Sequence, residues 1–182
     1  LVIGTSLSGC MSESVQDTPK NTFNTFVEGI NNNEGQGVIE LTDLQFMDED
    51  IWEEIPENVI SKENFKERVN STKKAINNGE LEISSYEINE VVYLENMDET
   101  NKTNYEEIMN NINESKYFDA SVDDICRLQF DWNATLEEDS ELKPLFDMEE
   151  QGGEIFMLKI DNKWYMPVPV TGLAVILYEG LE

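Results

Sequence analysis

The chain has 182 residues, with 39 Asp or Glu against 12 Lys or Arg, a net charge of −27 and no His. A field of that size repels nucleic-acid phosphates, and it disfavours charge-driven binding to an anionic membrane. The absence of His removes the usual general base, the Ser-His-Asp triad and most zinc and haem ligand sets.

The length suits one domain, and a hydrophobic content of 39% suffices for one core. Acidic residues keep a surface hydrated in salty media, and salt screens their mutual repulsion. The acidity is therefore expected to serve solvation in a salt-tolerant source. Met47-Asp48-Glu49-Asp50 and the stretch 119–124 have the charge of a calcium loop. They lack its alternating ligands and central Gly. No metal and no cofactor is expected.

At the N-terminus, residues 1–7 are uncharged and largely apolar, Ser8 and Gly9 are small, and a polar, acidic stretch follows Cys10. That is the layout of a signal h-region and its cleavage point. Leu7-Ser8-Gly9-Cys10 resembles the lipobox of bacterial and archaeal lipoproteins. The resemblance implies that the Cys10 thiol carries a lipid and that Cys10 becomes the new N-terminus. Residues 1–9 are then the remnant of a signal peptide, 10–17 a lipid-anchored tether and 18–182 a single domain. With neither a basic n-region nor an initiating Met, the chain is expected to begin inside its leader. A membrane-spanning helix needs about 20 apolar residues, more than this stretch shows. The implied location is the cell surface, on the outer face of the cytoplasmic membrane, since a two-chain lipid anchor holds firmly.

Thr18-Pro19 predicts a helix start, with a hydroxyl at the N-cap and Pro at the first helical position. Phe23, Phe26, Val27 and Ile30 follow at helical spacing. Asn31-Asn32-Asn33 and Gly35 end that helix. A second is expected over Gln36 to Leu44, with Val38, Ile39 and Leu41 inward. Phe46 to Ile55 mixes acids with apolar residues up to Pro56. Ser61 caps a third helix, with Phe65, Val69, Thr72 and Ile76 on one face, and Asn77-Asn78-Gly79 stops it. Leu81 to Ser85 and Tyr86 to Glu95 read as one long or bent strand. Met97 to Ser115 is polar and partly helical, with Tyr105, Ile108, Met109 and Ile112 as its apolar stripe. It reads as an insertion between strands. Val122 to Leu136 reads as a strand with Cys126, Leu128, Phe130 and Trp132 on one face at period two, which makes Cys126 a packing residue. Glu154 to Ile160 and Trp164 to Val168 form a hairpin turning at Asp161-Asn162-Lys163. Leu173 to Tyr178 is apolar and suits a last strand or a short helix. Sequons occur at Asn70, Asn101, Asn113 and Asn133; in an Asn-rich chain none is taken as a glycosylation site.

Helices first and strands afterwards predict an α+β fold, with helices packed on one face of an antiparallel sheet. The Pro-led helix, the segment Val38-Ile39-Glu40-Leu41-Thr42-Asp43 and the late hairpin around Lys163-Trp164-Tyr165 resemble small lipoproteins of one superfamily. It includes nuclear transport factor two, ketosteroid isomerase and the polyketide cyclases. The resemblance covers residues 18–170 and implies a cystatin-like cone, with N-terminal helices packed on a strongly bent sheet. The middle segment is longer than the family's usual connection, and the His of its catalytic members is absent. A cone has a pocket at its wide end, and Trp52, Tyr93, Trp132, Trp164 and Tyr165 are the aromatic candidates for its lining.

Three functions fit. The first is a non-enzymatic domain that binds a small apolar ligand or another envelope protein. The second is an assembly role through the open sheet face, as a homodimer or with a partner. The third is an isomerase- or cyclase-like enzyme, using a pocket carboxylate such as Asp131 with Tyr93 or Tyr165 as the donor. No catalytic residue is assigned.

Overall fold

The computed structural model describes residues 15–46, 62–115, 118–137, 140 and 152–167. The first helix, α1 (Pro19–Asn31), starts where the sequence places it: the Thr18 hydroxyl accepts from the Asn21 amide at 3.1 Å. Its buried stripe is Thr22, Phe23, Val27 and Ile30. Asn33, at φ 61°, turns the chain out of it. The chain joins the fold just before this helix, because Gln16 donates its side-chain amide to the Trp164 carbonyl and accepts from the Trp164 amide.

The second helix, α2, covers only Gly35–Glu40, and a separate 3-10 turn spans Asp43–Phe46. The break falls at Thr42, whose hydroxyl donates to the Ile39 carbonyl at 2.6 Å while its backbone bridges to Met166. Capture by the sheet edge outweighs helix propagation there. Helix α3 spans Lys62–Asn77 and turns through Gly79 at φ 74°. Ile76 is buried, and Val69 and Thr72 are half-buried. Trp52, Ser61, the Phe65 side chain and the apolar segment 173–178 lie outside the described residues.

The sheet has four antiparallel strands in the order β1 (Leu81–Tyr93), β2 (Val122–Leu136), β3 (Gly152–Ile160) and β4 (Lys163–Tyr165). Strand β2 has the bounds its alternation predicts. Strand β1 stays on one face by slipping twice against β2, between Ile83 and Ser85 and between Ile88 and Glu90. Each slip shifts the side-chain parity by one, so Leu81, Ile83, Tyr86, Ile88, Val91 and Tyr93 all sit opposite inner-face residues of β2. Bulges also bend a strand and raise its twist, which suits the curled, cone-like sheet. The hairpin between β3 and β4 turns on Asp161 and Asn162, at φ 51° and 63°, the positive angles that a two-residue turn requires. Lys163 belongs to β4.

Two apolar clusters result, one on each face. On the inner face, α1, α2 and α3 pack Phe23, Val27, Ile30, Val38, Ala75 and Ile76 against Leu81, Ile83, Cys126, Leu128, Phe130 and Met157. The expectation of helices on one face needs correction, because the middle segment forms a full helix, α4 (Glu99–Glu114), on the opposite side. Its stripe of Tyr105, Ile108, Met109 and Ile112 covers Val122, Ile125, Leu158, Ile160 and Tyr165. The reason is complementary need: the stripe has to be buried, and the β2–β4 half of the outer face is apolar. Asp98 caps α4 by accepting from the Thr100 and Asn101 amides, each at 3.1 Å. At the other end, Asn113 bonds both the amide and the carbonyl of Val122.

Candidate functional site

The strand register resolves the inner face into rows that cross β1, β2 and β3. Tyr93, Cys126 and Met157 form one row, then Val91, Leu128 and Ile155, then Ile88, Phe130 and Gly153; Tyr86 and Trp132 form the next. Burial changes along this ladder. Cys126, Leu128 and Met157 are fully buried, and Leu81 and Ile83 are buried at the far end. Ile88, Trp132, Ile155 and Phe26 are half-buried, as are Val91 and Tyr93; Gly153 is exposed, and Tyr86 keeps 36% of its surface.

The gap has a covalent cause. Opposite Phe130, β3 presents Gly153, and among the described residues a Cβ built there would meet only the Phe130 ring, at 3.8 Å. The β3 side chains thus shrink from Met157 through Ile155 to none, which among the described residues leaves open space, a depression, beside Phe130. Its aromatic floor is continuous with the core. Phe130 lies 4.8 Å from Phe23 and 5.0 Å from Trp132, and Phe23 lies 5.9 Å from Tyr86. The Tyr86 hydroxyl donates to Asn24 of α1 at 3.0 Å. Burial raises the Tyr86 pKa above its ordinary value, and the Glu28 carboxylate adds to the rise.

The structure divides the aromatic residues expected to line one pocket. Trp132 borders the depression. Tyr93 and Trp164 sit edge to face at 5.8 Å further along the inner face, with Trp164 buried. The Lys159 ammonium lies 5.9 Å from the Trp164 ring centroid. Tyr165 is on the other face, packed edge-on to Phe46 at 4.9 Å in the cluster under α4. Phe26, Tyr86, Ile88 and Gly153 belong to the depression, although the sequence reading does not single them out for it. The missed signal is the parity break at Ser84-Ser85, which brings Tyr86 back to the inner face.

Asp131 and Trp132 are neighbours in a strand and so lie on opposite faces. The exposed Asp131 carboxylate accepts from Asn89 at 2.8 Å on the outer side, and the fold does not bring it to Tyr93 or Tyr165. Desolvation pushes the Cys126 thiol up to about 12, with the Asp124 charge adding; a thiol so protonated is a packing group. On the outer face Arg127 bonds Glu90 at 3.0 Å and lies 3.8 Å from Glu154, which also accepts from Gln129 at 2.8 Å. These groups tie β1, β2 and β3 together. Among the described residues no three His, Cys, Asp or Glu side chains gather as a metal site, and no helix is long and apolar enough to cross a membrane.

No protein-family model matches the chain, and no curated protein or solved structure matches it either.

Proposed function

We propose that this chain is a lipid-anchored, extracytoplasmic domain that binds an apolar ligand, without catalysis, in the inner-face depression. The observation that carries the binding reading is the half-exposed aromatic row of Tyr86 and Trp132 beside the side-chain gap at Gly153. Exposed aromatic surface joined to a core, with few polar groups, is the usual character of a ligand site. The anchor reading rests on Leu7-Ser8-Gly9-Cys10 and holds the domain at the cell surface, on the outer face of the cytoplasmic membrane. Membership of the nuclear transport factor two and ketosteroid isomerase-like superfamily is part of the proposal. Its support is the order of N-terminal helices followed by a curled antiparallel sheet.

Two measurements test the two halves. Cys10→Ser should move the protein from the detergent phase to the aqueous phase on Triton X-114 partition, and unchanged partition would end the anchor reading. The neutral dye N-phenyl-1-naphthylamine should brighten on the wild-type domain and much less on Gly153→Leu, whose side chain fills the gap. Equal brightening, with both proteins folded by circular dichroism, would place binding elsewhere.

A further inference from the structure

The four sequons meet different surroundings in the fold. Transfer of a sugar to Asn turns a primary amide into a secondary one. Like a peptide, that amide keeps its substituent cis to the oxygen and its one remaining proton on the far side. Asn113 does not suit this geometry. Its Oδ1 accepts from the Val122 amide at 2.7 Å, while its Nδ2 donates to the carbonyl of the same residue at 3.1 Å. Holding both backbone groups of one residue uses the proton beside the oxygen, and a sugar would displace that proton. Asn101 is half-buried, and its Nδ2 holds the Asp98 carboxylate of the α4 cap at 2.6 Å. Asn70 is exposed on α3, but Thr72, two residues on, lies about 200° round the helix and is half-buried.

Asn133 differs on each count. Residues two apart in a strand share a face, and Asn133 and Thr135 are both exposed on the outer face of β2. Among the described residues the Asn133 side chain makes no hydrogen bond; the Ser84 hydroxyl bonds its backbone carbonyl instead, at 3.0 Å. Strand β3 begins opposite Asp131, so among the described residues this end of β2 has β1 on one side only. Helix α4 covers the other end of the outer face. Around Asn133 and Thr135, the polar residues Glu82, Ser84, Ser85 and Asp131 all stand exposed.

We propose that Asn133 carries an N-linked glycan. The donor is a lipid-linked sugar diphosphate. The bond from sugar C1 to the diphosphate oxygen breaks, and the lipid diphosphate leaves with the electron pair. A bond from Nδ2 to C1 forms, and Nδ2 gives up one proton. This rests on the extracytoplasmic part of the reading above, since sequons are modified in exported chains. It does not rest on the ligand site, which lies on the other face. The glycan hydrates and shields the end of the outer face that α4 leaves open.

The test is mass spectrometry of the full-length protein isolated from its own host, intact and after trypsin. A glycan mass is expected on the peptide that follows Arg127, with the peptides of Asn101 and Asn113 bare. Asn133→Gln and Thr135→Ala, both at exposed positions, should lose that mass entirely, and Thr135→Ser should keep it. A bare Asn133 beside a lipidated Cys10 would overturn the glycan and leave the anchor reading standing. A bare Asn133 with an unlipidated Cys10 would bring down both. Glycan confined to another sequon would overturn the assignment to Asn133.

Discussion

At the residue scale, small differences in burial separate packing from function. Phe23 is fully buried and touches Phe26, Tyr86 and Phe130. Phe23→Ala should cost about 3–5 kcal/mol in chemical denaturation, as core Phe truncations do. Gly153 can accept a Cβ at ordinary contact distance, and Gly153→Ala should stabilise by about 0.4–1 kcal/mol through the unfolded chain. Gly152, its neighbour, cannot: a Cβ there would come within 2.5 Å of the Phe130 carbonyl oxygen, and Gly152→Ala should destabilise by about 1–3 kcal/mol. The contrast between adjacent glycines checks the register of β3 directly. Cys126 sets an alkaline limit. Its thiol titrates near 9 when unfolded and near 12 when folded. Folding stability is therefore full below about pH 9 and declines as the unfolded state alone loses the proton, between about 9 and 12. Cys126→Ala should flatten that part of the pH–stability curve; an unchanged slope would assign it to the tyrosines, several of which are also raised.

At the element scale, the elements legible in the sequence were those with an unbroken period. Strand β2 alternates from Cys126 to Trp132 without interruption, and α1 has a cap, a Pro and a stripe. Strand β1 was legible as a strand but not as a surface, since its two bulges exchange odd and even positions and the sequence marks them only by Ser84-Ser85 and Asn89. The opposite facing of Trp164 and Tyr165 follows from strand geometry alone, since neighbours in a strand point to opposite sides of the sheet. The docking of α4 was not legible, because a stripe of four apolar residues says that a helix needs a surface and not which one. Its cap offers a test. Hydrogen bonds from the Asn101 and Thr100 amides and the Asn101 side chain hold the Asp98 carboxyl below its ordinary pKa. A depressed carboxyl stabilises the folded state above its unfolded pKa and loses that effect as pH falls through the folded value. Asp98→Asn, still a good cap, should keep α4 protected from hydrogen exchange at neutral pH and remove its contribution to acid sensitivity. Asp98→Ala should speed exchange at Thr100 and Asn101 at any pH. Unchanged exchange in the alanine variant would contradict the cap.

At the scale of the whole molecule, charge sets the conditions and the two faces divide the work. With 39 acids against 12 bases, self-repulsion weakens the compact state until salt screens it. The melting temperature should rise steadily from low salt to 1 M sodium chloride, and a flat response would contradict the solvation account of the acidity. The outer face is taken up by α4 on one half and by the Arg127, Glu90 and Glu154 network on the other. The inner face keeps a half-exposed aromatic row between the buried Cys126, Leu128 and Met157 on one side and the buried Leu81 and Ile83 on the other. Native mass spectrometry of the protein isolated from its own host reads whether the depression beside that row is occupied. Extra mass is expected on the folded wild-type protein, leaving on denaturation and missing from Gly153→Leu. An empty wild-type protein, or a bound mass that Gly153→Leu retains, would contradict the ligand-site reading.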